Sequence, residues 1–306
     1  MRDFIPQIEP WIDDNELKHL KRVVESTYVV EHKLTKEFEN IVREHTGAKH
    51  AIAMTNGTMA IYSCLLALGL KPGDEVIVPN FTFIATSNAV IMAGGVPVLC
   101  EIDPKTLCID VNKIKSCITQ KKKTITCGEG GVVLTNDDEI AKKCYRLKNH
   151  GRDSKGIFKH EHIGFNFCFT EMQAAIGISQ MEKLPKIVAK KQALHDTYIS
   201  KLNGVGDLKF YDFKPNIKPV HWFTCAQTNH REKLAEYLLA SGIQTRSFFY
   251  PLNLQPCYKD YKFDQYSISK EVYDKGISFP SSYNLTSEEQ KYIIKKIKDF
   301  YEHNIS

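Results

Sequence analysis

Apolar residues along this chain recur at two spacings, and the switches between them mark out its elements. Behind Asp13 and Asp14, the residues Leu17, Leu20, Val23 and Val24 follow at helical spacing, which predicts a helix with those four inward. A second helix is predicted from Thr35, with Phe38, Ile41 and Val42 inward and Gly47 as its stop. Ala51-Ile-Ala-Met54 reads as a short strand, followed at once by Thr55-Asn-Gly-Thr58 and an apolar helical run. Further strands are predicted over 75–79 and 96–100, with a helix opening near Phe81 and running to Met92 between them. After a gap in the pattern, 132–135 reads as a buried strand and 138–148 as a helix with Ile140, Ala141, Cys144 and Leu147 inward. Thr170-Glu-Met-Gln173 is a capping box that opens a helix; Pro185 is expected to bend it or end its first part, after which the helical pattern resumes to about Leu202.

Strands alternating with helices predict an α/β fold with a mostly parallel sheet, whose ligands sit beyond the carboxyl ends of the strands. Near Gly204-Val-Gly206 the character shifts. A strand over 220–228, a helix over 231–240 with Leu234, Leu238 and Leu239 inward, and a final helix capped by Thr286-Ser-Glu-Glu289 predict a smaller α+β unit. The expected division is 1–205 for the large domain and 206–306 for the small one.

Composition narrows the function classes. A formal charge of +5 without a basic, aromatic-rich stripe gives no reason to expect nucleic acid. No apolar run reaches membrane-spanning length, so no membrane partner is expected. Nine scattered cysteines without a CxxC pair predict reduced thiols in a cytoplasmic setting, and no metal site.

Two stretches carry candidate chemistry. Free N–H groups at the helix start after Asn56 form an anion site, and Gly57 lets backbone approach a phosphate, although many α/β folds place a glycine there for steric reasons alone. Lys123-Thr-Ile-Thr-Cys-Gly-Glu-Gly-Gly131 sets a lysine before an apolar run and a glycine cluster. A desolvated amine there is placed to condense with a bound carbonyl. The competing reading makes Lys123 the last of three solvated lysines.

Taken in order, Thr55-Asn-Gly-Thr58, Val78-Pro-Asn-Phe-Thr-Phe-Ile-Ala-Thr86, the Lys123 stretch, Asn149-His-Gly-Arg152, Gly164-Phe-Asn-Phe-Cys-Phe-Thr-Glu-Met-Gln-Ala-Ala-Ile-Gly177 and Ile277-Ser-Phe-Pro280 resemble the DegT/DnrJ/EryC1/StrS sugar aminotransferases. The resemblance implies the fold-type I, aspartate aminotransferase-like scaffold and pyridoxal 5'-phosphate as cofactor. It implies Lys123 as the catalytic lysine that holds the cofactor and moves the proton, Gly57 and Thr58 as the phosphate turn, and Phe83 as the ring-stacking aromatic. It implies Asn166 as the residue reaching a partner subunit's phosphate, hence a homodimer with shared sites. From bare sequence, Phe83 reads as a core residue and Asn166 as a loop asparagine. Thr245-Arg-Ser-Phe-Phe-Tyr-Pro251 resembles the branch acting on nucleotide-linked 4-keto-6-deoxy sugars to make perosamine or viosamine, with glutamate as the usual amino donor. Arg246 and Tyr250 are its candidates for the substrate pocket; a surface charge and a core aromatic are the plainer readings. The related dehydratase branch carries histidine where Lys123 stands.

The chain departs from that family at one place. Thr119-Gln-Lys-Lys-Lys123 leads directly into the lysine motif, where the family has about two further βαβ steps, on the order of 60 residues. The segment bearing the aspartate for the pyridinium nitrogen, and a phosphate-binding serine, fall in that gap. No Asp or Glu occurs between Asp110 and Glu129. An active aminotransferase and an inactive dimeric relative are both consistent with that pattern, and the sheet is expected to show unpaired edges. Cys168 stands where many relatives have arginine.

Overall fold

The computed structural model describes residues 2–110, 113, 127–153, 158–211, 219–261 and 263–303. Lys123 and the helix expected over 111–118 lie outside the described residues, apart from Lys113.

Helix α1 (Asp14–Ser26) opens with a capping box in which Asp13 and Glu16 satisfy each other's backbone. Its inward face differs from the apolar pattern. Leu17 and Val24 are 64% and 74% exposed, while Glu16, His19 and Val23 are buried. The reason is polar: Glu16 turns inward to accept from Lys183, Ser179 and Gln180 on α6 (Glu171–Leu202), which fixes the rotation of α1. Helix α2 (Lys33–Thr46) ends on Gly47, whose positive φ supplies the expected stop. It begins two residues earlier than its apolar pattern, because the Glu171 carboxylate accepts from the N–H groups of His32, Leu34 and Thr35. A side-chain cap of this kind stabilises a helix start by about 0.5–2 kcal/mol.

Strand β1 (His50–Met54) leads into α3 (Gly57–Ala67), and β2 (Glu75–Pro79), α4 (Ala85–Met92) and β3 (Val96–Cys100) follow. Beyond Cys127 come β4 (Gly131–Thr135), α5 (Asp138–Lys148) and α6. The expected sheet is divided. β2 and β3 pair in parallel, β1 and β4 pair antiparallel with Met54 opposite Gly131, and among the described residues no ladder joins the two pairs. Among the described strand pairs, β2–β3 alone has the parallel pairing that the alternating pattern predicts. A single helical layer nevertheless spans both, since α3 lies on β1 and β4, α4 lies on β2 and β3, and α3 packs on α4.

Helix α6 runs unbroken through Pro185. Its first half packs on α1 and α2. Leu194, Tyr198 and Leu202 in its second half enter a core with Leu234, Ile277, Ile293 and Phe300. That core belongs to the C-terminal elements: β5 (Lys209–Phe210), β6 (Thr224–Gln227), α7 (Arg231–Ala240), β7 (Arg246–Ser247), α8 (Ser267–Lys275), β8 (Gly276–Phe279) and α9 (Ser287–His303). Their sheet has the order β5-β6-β8-β7 and is antiparallel throughout. The strand expected over 220–228 shortens to β6, and Leu239 of α7 points outward, whereas Leu234 and Leu238 are buried as expected.

Candidate active site

The turn after β1 is built by three residues. Asn56 caps α3 by accepting from Met59 N at 2.9 Å. Gly57 and Thr58 follow as the first residues of the helix, and among the described residues no acceptor takes their N–H groups. Two free amides at a helix N-terminus form an anion cradle. Gly131, the last glycine of the lysine motif, lies directly behind it. A Cβ on Gly131 would sit 2.6 Å from the Asn56 carbonyl oxygen and 2.8 Å from the Gly57 Cα. Only glycine lets the lysine motif come this close to the turn.

Gln173 holds the same two segments together from the side. Its Nε2 donates to the carbonyls of Thr55 and Glu129, and its Oε1 accepts from Thr170 as the other half of the capping box. The capping box is legible in sequence; the tie to Thr55 and Glu129 is not, because those residues lie 118 and 44 positions from Gln173.

The other sequence-predicted residues spread outward. Phe83 is 53% exposed, so it is no core residue, and its ring lies 6.1 Å from Phe249. Asn166 pairs with Asn149 in an isolated bridge. Its neighbours lie against the end of β1: Phe167 O accepts from Thr55 N, and Cys168 bridges Met54. Arg246 is exposed on β7. Tyr250, half-exposed, meets Tyr273 edge-on at 5.0 Å. Nothing in the described contacts brings Arg246 or Tyr250 to the Gly57 turn. Burial pushes the Cys127 thiol up to about 11, so at neutral pH it is no nucleophile.

One buried charge near the turn escapes the sequence reading. Lys148 is 1% exposed and donates from Nζ to Glu39 Oε1 at 3.2 Å and to the Ala53 carbonyl at 2.9 Å, and it pairs with Glu31 at 3.1 Å. The available signal was spacing, since Lys148 follows Ala141 and Cys144 on the inward stripe of α5.

The sequence model of the DegT/DnrJ/EryC1/StrS aminotransferase family matches residues 10–125 and 120–298. The chain belongs to this family. The match comes in two pieces that meet at 120–125, where the sequence pattern breaks. GDP-perosamine synthase of Vibrio cholerae is 29% identical over 364 positions, covering 97% of this chain and 99% of the relative. Since the chain has 306 residues, at least 58 of those positions face no residue here. The aminotransferase TlmJ of Streptoalloteichus hindustanus superposes with a TM-score of 0.92 at 19% identity, covering 99% of this chain and all of the other. NtdA of Bacillus subtilis, solved with bound PMP, superposes with a TM-score of 0.88 at 24% identity, covering 99% of this chain and 86% of the other. The fold is therefore that of the fold-type I aminotransferases, and the family is PLP-dependent.

The described residues fit one end of that cofactor. The two amides at Gly57 and Thr58 suit its phosphate, and the Phe83 side chain is 53% exposed. Two carboxylates at the end of β3 are engaged elsewhere. Glu101 accepts from Ile268 N and Ser269 N at the start of α8, and Asp103 accepts from Lys105 N and Thr106 N.

Proposed function

We propose that this aminotransferase moves an amino group from glutamate to the 4-keto carbon of a nucleotide-linked 4-keto-6-deoxy sugar, as a cytoplasmic homodimer with shared sites. The support for the sugar is the perosamine-synthase relative and the Thr245–Pro251 motif. The observation that carries the site is the close approach of Gly131 to Asn56 and Gly57, which brings the lysine motif against the anion cradle.

In this reading the Gly57 and Thr58 amides hold the cofactor phosphate, and the α3 dipole favours its charge. Phe83 bears on the face of the ring, with Phe249 limiting its tilt. Lys123 holds and moves the proton at its Nζ. Asn166 reaches the phosphate of the partner subunit, and Arg246 and Tyr250 contact the nucleotide sugar where the two subunits meet. When bound, PLP supplies an electron sink that lets an amino group leave one carbon and join another.

A second reading, an inactive relative that binds the phosphate end alone, is favoured by the engagement of Glu101 and Asp103. One experiment separates the two. PLP is titrated into the wild type and Lys123→Ala, followed by visible absorbance, and turnover of a GDP-linked 4-keto-6-deoxy sugar with glutamate is then measured. An absorbance band lost in Lys123→Ala together with amino-sugar formation supports the enzyme. A band without turnover, or no band in the wild type, overturns the enzyme and leaves the inactive relative; turnover overturns the inactive relative.

A further inference from the structure

Among the described residues the divided sheet leaves two edges open. The outer edge of β1 is closed by side chains and a bridge: Ala53 N donates to Glu39 Oε1 at 2.9 Å, the Ala53 carbonyl accepts from Lys148 Nζ at 2.9 Å, and Met54 bridges Cys168. β3 carries Pro97 in its middle, and a proline confines a strand to a sheet edge. β2 and β4 have no interior proline, and among the described residues nothing pairs with their second edges. The stretch between these two open edges, against the packed helices α3 and α4, is the slot.

The slot adjoins a bare apolar surface. Ile77, Val96 and Val98 lie on one face of β2–β3 and are 37%, 42% and 36% exposed, while Val78 and Leu99 on the other face are buried under α4. A strand pair with one buried and one bare apolar face is a template for further strands. The sequence break gives the size of what fits. The family match divides at 120–125, between β3 and β4, and at least 58 positions of the Vibrio cholerae relative are unmatched. That is the length of about two βαβ steps.

We propose that the slot between β2 and β4 is an acceptor site for a separate strand-forming polypeptide of that length and apolar character, which adds strands to the open edges and covers Ile77, Val96 and Val98. The site does not depend on the cofactor, so it stands or falls apart from the proposed activity. Binding gives backbone N–H and C=O groups of β2 and β4 new partners and removes the three side chains from water.

The test uses the full chain and a synthetic polypeptide with the Vibrio cholerae sequence that falls opposite the break. Sedimentation is expected to show a saturable one-to-one complex. Amide exchange in the complex is expected to slow at least about tenfold over 75–79 and 131–135, with little change in α7. Ile77→Asp and Val98→Asp are expected to weaken the complex at least about tenfold, whereas Leu239→Asp, on the outer side of α7, leaves it intact. Circular dichroism of the variants checks that they fold, and the exchange pattern of the wild type needs no variant. The proposal is overturned by the absence of a complex, by edge amides of β2 and β4 already protected in the chain alone, or by self-association through the same face that excludes the polypeptide.

Discussion

Gln173 Nε2 donates to the Thr55 carbonyl at 3.2 Å, and the same nitrogen donates to the Glu129 carbonyl at 2.6 Å. One amide thus ties the turn at Gly57 to the glycine cluster of the lysine motif. Gln173→Glu separates this role from helix capping. A glutamate at the third position still completes the box with Thr170, but it presents a carboxylate oxygen to two carbonyls. Far-UV circular dichroism is expected to stay unchanged while PLP affinity falls about tenfold, the equivalent of about 1.4 kcal/mol. Unchanged affinity in this variant would leave Gln173 as a cap and nothing more.

Lys148 and Glu39 form the other tie across the large domain. The Lys148 ammonium closes the β1 edge, and Glu39 also accepts from Tyr145 Oη at 3.2 Å. Removing the lysine takes away the buried cation that Glu31 and Glu39 share, and Glu39 keeps the more exposed Lys36 at 3.2 Å. Lys148→Met is expected to destabilise by about 3–5 kcal/mol in urea unfolding. Adding Glu39→Leu is expected to restore part of the loss, because the pair is coupled and the two costs do not add. A double variant as unstable as the sum of the singles would disprove the coupling.

Acid should unfold the protein in two stages. Burial, reinforced by the stacked His195, pulls His221 down to about 4. Its unfolded form takes a proton near 6.5, so stability is present above that pH and is lost as pH falls from about 6.5 to 4. The carboxylates come later. The Arg2 guanidinium holds Glu289 at about 2; for Glu16, burial opposes ionisation, but the bonds from Lys183, Asp13 N, Ser179 and Gln180 outweigh it and also bring it to about 2. Both contribute stability above their unfolded value of 4.5 that is lost as pH falls toward 2. In urea titrations at stepped pH, His221→Gln is expected to flatten the upper stage and leave the lower one. A slope unchanged between pH 6.5 and 4 in that variant would remove His221 from the account.

What the sequence discloses here follows from the range of the forces involved. Capping boxes at Thr170 and Thr286 and the stop at Gly47 act within a few residues, and all three stand where the local pattern puts them. The rotation of α1 was not legible, because Glu16 is drawn inward by Lys183, a partner 167 residues away, against the pull of Leu17 and Val24. The helix start capped by Asn56 was legible from Asn56-Gly57-Thr58 alone. Its contact with Gly131 was not, since a glycine in a cluster gives no sign of which neighbour it admits. The division of the sheet was foreseeable from the break before Lys123, but which edges stay open depends on Glu39, Lys148 and Pro97.

Two of the three glycines of the lysine motif, Gly131 and Gly128, make a matched test of that contact. Gly131 has no positive φ, so alanine is allowed by its backbone, yet the added methyl meets Asn56 and Gly57 backbone at under 3 Å. Gly128 is the reverse: its φ is +81°, and a Cβ there meets nothing within 4 Å. Gly128→Ala therefore costs only backbone strain, about 1–2 kcal/mol of stability. Gly131→Ala must push β4 away from the turn, at a cost of about 1–3 kcal/mol, and it displaces the amides of Gly57 and Thr58 as it does so. PLP titration of both variants is expected to show a fall of at least about tenfold for Gly131→Ala and a near-normal affinity for Gly128→Ala. Equal losses in the two would mean that the motif acts through its own loop conformation, and the contact with the turn would then have no part in holding the cofactor.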